Sequence, residues 1–189
     1  MPIELKICGI NSQNIIEVIV KNGGCKYLGF IFYPPSPRNV SIEQSKKLTS
    51  IIPSYMKKVA VLVKPENSFV EKIKDQFDYL QLYETPPSKV QEIKLISSKK
   101  IIQAIKVKKD SDVDSYKQYI GIADNFLFDS PFLEKSSKFN WDCLKNIAIK
   151  GERLTYFMAL RRGKMRRIIE IKQTRRKLTM KLLHPQIAA

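Results

Sequence analysis

Apolar positions in the first 130 residues gather into short dense runs instead of alternating one by one with polar ones. The runs occupy residues 4–9, 27–32, 59–63, 79–83, 100–107 and 125–129. Runs this short and dense predict strands covered on both faces by other elements. Between them the pattern turns helical. Asn11 precedes a helical stretch that stops at Gly23 and Gly24. Ser41 is placed to cap a second helix, which ends before Pro53. Asn67 or Ser68 opens a third that runs toward Phe77, with Phe69, Val70, Ile73 and Phe77 on one stripe. Pro87 and Ser88 lead into a fourth, and residues 112–120 form a weaker helical candidate. Strict strand–helix alternation predicts an α/β protein with a parallel sheet and helices outside it. An open doubly wound sheet and a closed (β/α)8 barrel both satisfy this, and strand spacing does not choose between them. No Gly-x-Gly-x-x-Gly follows the first run, which weakens the dinucleotide-binding form of the open sheet.

Composition narrows the class. With 189 residues, 43% of them hydrophobic, the chain can bury a core and is not a disordered polymer. No apolar run approaches the roughly 18 residues of a membrane-spanning helix, and the first residues lack the layout of a secretory signal. Cys8, Cys25 and Cys143 are widely spaced, and His184 is the single histidine. Neither a disulfide scaffold nor a zinc site is expected from them. The expectation is a reduced, cytoplasmic protein. The formal net charge of +16 raises nucleic acid as a partner, but the charge is uneven. Residues 1–150 hold 23 Lys+Arg against 16 Asp+Glu, and residues 151–189 hold 11 against 2. Arg38 is the one arginine among the first 150 residues. The chain therefore divides into an N-terminal strand–helix portion, 1–150, and a divergent basic segment, 151–189.

In parallel α/β folds the chemistry sits at the carboxyl ends of the strands. Cys8 and Gly9 stand at the first such end, and a Pro-rich loop ending in Arg38 follows the second run. Gln81, Tyr83 and Glu84 stand at the fourth, and Asp129 and Ser130 at the sixth. Taken singly, each has a plain structural reading. Cys8 fits a small buried core residue, Asp129 a capping residue, and Arg38 a solvated loop charge. Against the last, an arginine in a lysine-rich segment suggests a need for a planar two-point donor.

Taken together, these strings resemble the phosphoribosylanthranilate isomerase family of tryptophan biosynthesis. The resemblance is carried by Lys6-Ile7-Cys8-Gly9, by Gly29 through Ser36-Pro37-Arg38, and by Val59-Ala60-Val61-Leu62-Val63. Leu80-Gln81-Leu82 and Phe126-Leu127-Phe128-Asp129, followed by Phe139-Asn140-Trp141, extend it over residues 3–150. It implies a (β/α)8 TIM barrel with about six strand–helix units recognisable and a divergent or incomplete C-terminal part. It implies an isomerase that turns N-(5-phosphoribosyl)anthranilate into 1-(2-carboxyphenylamino)-1-deoxyribulose 5-phosphate by an acid–base Amadori rearrangement. No cofactor and no metal is implied. Cys8 would be the base and Asp129 the acid, which asks for a thiol that loses its proton near neutral pH and a carboxyl that keeps one. Arg38 would hold the anthranilate carboxylate and Gln81 would contact substrate. A monomer without membrane or nucleic-acid partners is expected. The competing reading is an inactive barrel remnant with a basic tail that binds nucleic acid or an acidic partner.

The chain also departs from the family pattern. Tyr83-Glu84 stands where the family usually has His-Gly, and residues 130–138 lack the usual glycine-rich loop. The Gly-Gly and Ser-Ser-Gly turns after strands seven and eight, which bind the substrate phosphate, have no counterpart. Residues 154–160 are the candidate for strand seven. For residues 151–189 three readings stand open: a reading-frame change, which the Arg-Arg runs favour, a basic binding tail, or a solvated helix on the barrel's open edge. Without the last barrel units and the phosphate-binding turns, the chain as written is expected to show weak or no turnover.

Overall fold

The computed structural model describes residues 4–129 and three strand segments, 158–159, 168–174 and 177–183. Expectations for residues 130–138, for Phe139, Asn140 and Trp141, and for Cys143 and His184 fall outside the described residues. Six strands appear where the apolar runs lie: β1 Leu5–Cys8, β2 Cys25–Phe32, β3 Lys57–Val63, β4 Tyr79–Tyr83, β5 Lys100–Lys106 and β6 Asn125–Asp129. All neighbouring pairs among them are parallel and follow chain order. Four α-helices return the chain between strands: α1 Gln13–Asn22, α2 Ile42–Ser50, α3 Asn67–Ile73 and α4 Pro87–Ser97. The described sheet is thus six consecutive parallel strands joined by five helical crossovers, a half-barrel.

Local chemistry explains the helix ends. Ser41 accepts a hydrogen bond from the Gln44 amide at 3.0 Å, so it is the cap the sequence suggested. Gly23, at φ +67°, stops α1 and donates its amide to Ile19 O. The cap of α1 is Ser12 rather than Asn11, and that of α3 is Glu66 rather than Asn67 or Ser68. Past α3 the stripe tightens into a 3-10 turn, Lys74–Gln76, before Phe77 is buried. The weak candidate near residue 112 is a 3-10 helix, Asp110–Tyr119, which buries Val113, Tyr116 and Tyr119.

Two apolar layers account for the density of the strand runs. On the outer face Leu28, Phe30, Leu62, Leu80, Leu82 and Ile101 pack against Ile16, Val70, Ile73, Val90 and Ile93 of the helices. On the inner face Tyr27, Val59, Ile102, Ala104 and Leu127 form a second, smaller cluster. Burying each large aliphatic side chain contributes about 2 kcal/mol. A strand with both faces covered cannot show polar alternation. Among the described residues no helix is long and apolar enough to cross a membrane.

The C-terminal segment differs from expectation. Within residues 154–160 the described strand is only Met158–Ala159 (β7). It pairs in parallel with β1, through Ile7↔Met158 and Cys8↔Ala159, not beside β6 where a seventh strand belongs. It occupies the edge that a closing strand takes in a complete barrel. The described residues that follow are not helical. Ile168–Thr174 (β8) and Lys177–Leu183 (β9) form an antiparallel pair of their own. Their apolar residues recur with period two, at Ile169 and Ile171 and at Leu178, Met180 and Leu182, and that period suits a strand rather than a helix.

Candidate active site

Cys8 is the last residue of β1, and its register partner on β2 is Gly29. The Gly9 and Ile10 amides both donate to Gly29 O, at 2.8 and 3.0 Å, so the chain turns sharply at the strand end. Gly9 takes φ +91°, and a Cβ placed there would lie 2.3 Å from Nη1 of Arg38. Only glycine suits both demands. The loop after β2 folds on itself: Tyr33 O accepts from the Ser36 amide at 2.8 Å, and Asn39 Oδ1 accepts from the Tyr33 amide at 2.7 Å. That turn swings Arg38 across Gly9, where Nη1 donates to Cys8 O at 2.7 Å. Arg38 therefore braces the backbone of the thiol residue.

Gly29 does a second thing. A Cβ there would sit 3.0 Å from Cys8 Sγ and 3.0 Å from Lys6 Nζ. The missing side chain leaves room for an ammonium and a thiol side by side on the inner face. Lys6 is 1% exposed and among the largest fully buried side chains of the described residues. Buried lysines are rare, and this one shares the face of Cys8 because the two are two residues apart on a strand. Cys25 makes a contrast. It donates to Tyr27 O at 3.2 Å, and burial pushes its thiol up, as befits an inert packing residue.

Across the inner face a hydrogen-bonded chain joins β4 to β6. Gln81 Nε2 donates to the Tyr83 hydroxyl at 3.1 Å, and that hydroxyl donates to Asp129 Oδ2 at 3.1 Å. Gln81 is buried, and its Oε1 accepts no hydrogen bond among the described residues. The phenol of Tyr83 is held well above the ordinary tyrosine range, by desolvation first and then by its electrostatic interactions with Asp129 and Cys8. It is a neutral donor at every working pH.

The structure thus places Cys8, Tyr83 and Asp129 at the carboxyl ends of β1, β4 and β6 and Gln81 in the middle of β4, with Tyr83 in the electrostatic reach of both the thiol and the carboxyl. Arg38 joins them through Cys8. Sequence reasoning passed over Lys6, which it read only as one letter of a motif. The available signal was a charged residue inside an apolar strand, facing the same way as Cys8.

The sequence pattern of N-(5'phosphoribosyl)anthranilate (PRA) isomerases matches residues 5–160, somewhat beyond the 3–150 over which the resemblance was drawn. The chain belongs to that family. It is 32% identical over 133 residues to the N-(5'-phosphoribosyl)anthranilate isomerase of Paramagnetospirillum magneticum, a match covering 69% of this chain and 61% of that protein. The Petrotoga mobilis enzyme of the same name is 33% identical over 157 residues, covering 78% and 72%. The crystal structure of phosphoribosyl anthranilate isomerase from Thermotoga maritima superposes with a TM-score of 0.68 at 26% identity, over 76% of this chain and 70% of that one. The chain spans about three-fifths of the first of these relatives. Family membership places the half-barrel as the N-terminal part of a (β/α)8 barrel.

Proposed function

We propose that this chain carries the acid–base site of an N-(5'-phosphoribosyl)anthranilate isomerase and acts on that phosphorylated sugar–anthranilate in tryptophan biosynthesis. Asp129 gives a proton to the furanose ring oxygen as the C1–O bond breaks and the nitrogen lone pair forms a C1=N iminium. Cys8, as thiolate, takes the C2 proton, and the C2–H electron pair forms the C1=C2 bond that neutralises the iminium nitrogen. The enolamine so formed becomes the ketone when its enol proton leaves and C1 gains one. The buried Lys6 ammonium beside the sulfur suits a base that works as a thiolate. Arg38 offers a planar fork of N–H donors to the anthranilate carboxylate, and Gln81 Oε1 is a buried acceptor for a substrate N–H or O–H. The reading needs no metal or cofactor, and a cytoplasmic monomer would suffice for it.

The observation that carries this reading is the position of Tyr83, one phenol hydrogen-bonded to the carboxyl of β6 and charged against by the thiol of β1. An acid and a base converge there from the two sides of the described half-barrel. The experiment is complementation of a tryptophan auxotroph lacking this isomerase, together with conversion of the aminoaldose phosphate by purified protein. Cys8→Ala and Asp129→Ala should each abolish whatever turnover the intact chain has. Unchanged turnover in both would sink the assignment.

A further inference from the structure

We propose that Tyr83 is a positioning residue that fixes the Asp129 carboxyl and selects which of its oxygens gives up the proton. The inference rests on the acid role proposed above for Asp129. Tyr83 is pinned before its side chain begins. Its carbonyl accepts from the Lys64 amide at 3.1 Å and from Thr85 Oγ1 at 2.9 Å. Thr85 O in turn accepts from the Tyr119 hydroxyl at 2.9 Å, which ties the rim to the 3-10 helix after β5. The ring packs against the inner apolar cluster. At its far end the hydroxyl oxygen accepts a hydrogen bond from Gln81 Nε2, so its own proton is aimed at Asp129 Oδ2. An oxygen that accepts from a phenol is the carbonyl-like one of a protonated carboxyl. The exchangeable proton of Asp129 is therefore carried on Oδ1.

The same bond favours the step itself. As Asp129 loses its proton, negative charge grows on the carboxyl and the Tyr83 hydrogen bond becomes charge-assisted. An ionisable partner in this place would exchange protons with the acid. A phenol this resistant to ionisation cannot, so it only donates. Among the described residues Tyr83 donates to Asp129, and Lys106 of β5 is its register partner. The Lys106 ammonium is bonded to Glu84.

The test is read without turnover. Aspartate labelled with 13C at Cγ in the intact chain, with Asp129→Asn to assign the signal, reports by NMR the pH at which Asp129 takes up its proton. Tyr83→Phe removes a donor that favours the carboxylate, so the midpoint should rise by about half to one pH unit, a three- to tenfold change in proton affinity. An unmoved or lowered midpoint overturns the proposal. Where Tyr83→Phe does not fold, tyrosine labelled at Cζ serves in the unsubstituted chain. The Tyr83 signal should step at the Asp129 midpoint and lose that step in Asp129→Asn, and a signal blind to Asp129 overturns the proposal equally. The conversion assay of Asp129→Ala is separate: full activity there removes the acid role, whereas the titration alone decides whether Tyr83 holds the carboxyl.

Discussion

The inner face of the sheet has two ends, and they are built on different terms. At the amino-terminal end Glu4 accepts from the Tyr27 hydroxyl at 2.7 Å and pairs with Lys26, while Tyr27 and Tyr79 stack edge to face at 5.5 Å. Every polar group named there has its partner. At the carboxyl end a lysine and a thiol crowd a glycine, and Gln81 Oε1 accepts no hydrogen bond among the described residues. Unmet hydrogen bonding costs stability and persists where a site uses it. On the proposed reading, one end holds the sheet together and the other receives the substrate.

Substitutions at the two ends should therefore separate activity from stability. The largest effect is expected at the reacting groups, where Cys8→Ala or Asp129→Ala should lower turnover by about a thousandfold or more while leaving the thermal midpoint nearly unchanged. A large fall in midpoint would instead make these residues structural. Gly9→Ala comes next. Its Cβ collides with Arg38 Nη1 at 2.3 Å in a backbone region that L residues avoid, so turnover should fall about ten- to a hundredfold and stability by about 1–3 kcal/mol. Lys6→Met should slow alkylation of Cys8 by iodoacetamide several-fold, read by peptide mapping so that the Cys25 signal serves as control. A rate unchanged by the substitution would detach the ammonium from the thiol. At the settled end, Tyr27→Phe should cost about 1 kcal/mol in urea unfolding and leave turnover alone.

The smallest effect is a matter of acidity. Glu84 is held below the usual carboxylate range, by its hydrogen bond from Lys106 first and then by the one from Lys64. A carboxyl whose folded value is depressed contributes stability above its unfolded value and loses it as pH falls through the folded one. The intact chain should thus lose slightly more stability than Glu84→Gln on acidification below about pH 4.5, the usual range of a glutamate. The side chains are 37% to 69% exposed, so the difference is small. Equal losses would show that these pairs contribute nothing.

How far the fold was legible follows from its layers. Six strands stood out because both faces of each are covered, which erases polar alternation and leaves runs such as Val59 to Val63. Helix caps were less legible, since Ser12 and Glu66 make no side-chain capping bond that would mark them. Residues 110–119 carry too few apolar positions to settle between helix types. In the site, Cys8, Arg38 and Asp129 announced themselves through the strings around them. Lys6 did not, because a lysine is ordinarily a surface residue and only the glycine one strand away makes its burial feasible. Tyr83 was visible as a departure, but its bond to Asp129 spans two strands and 46 positions of sequence, which no local pattern encodes. For the basic C-terminal segment a reading-frame change, a binding tail and a solvated helix stood open, and the spacing of its isoleucines and leucines suits the described strand pair instead of the helix.

The placement of β7 sets an order of events. Among the described strands the one bearing Cys8 is made first, yet half of its outer edge waits for Met158 and Ala159. Long-range pairing of this kind is slow, since the intervening chain must be organised before the contact is rewarded. A polypeptide that stops short of these two residues leaves the backbone behind the Cys8 thiol unlatched on one side.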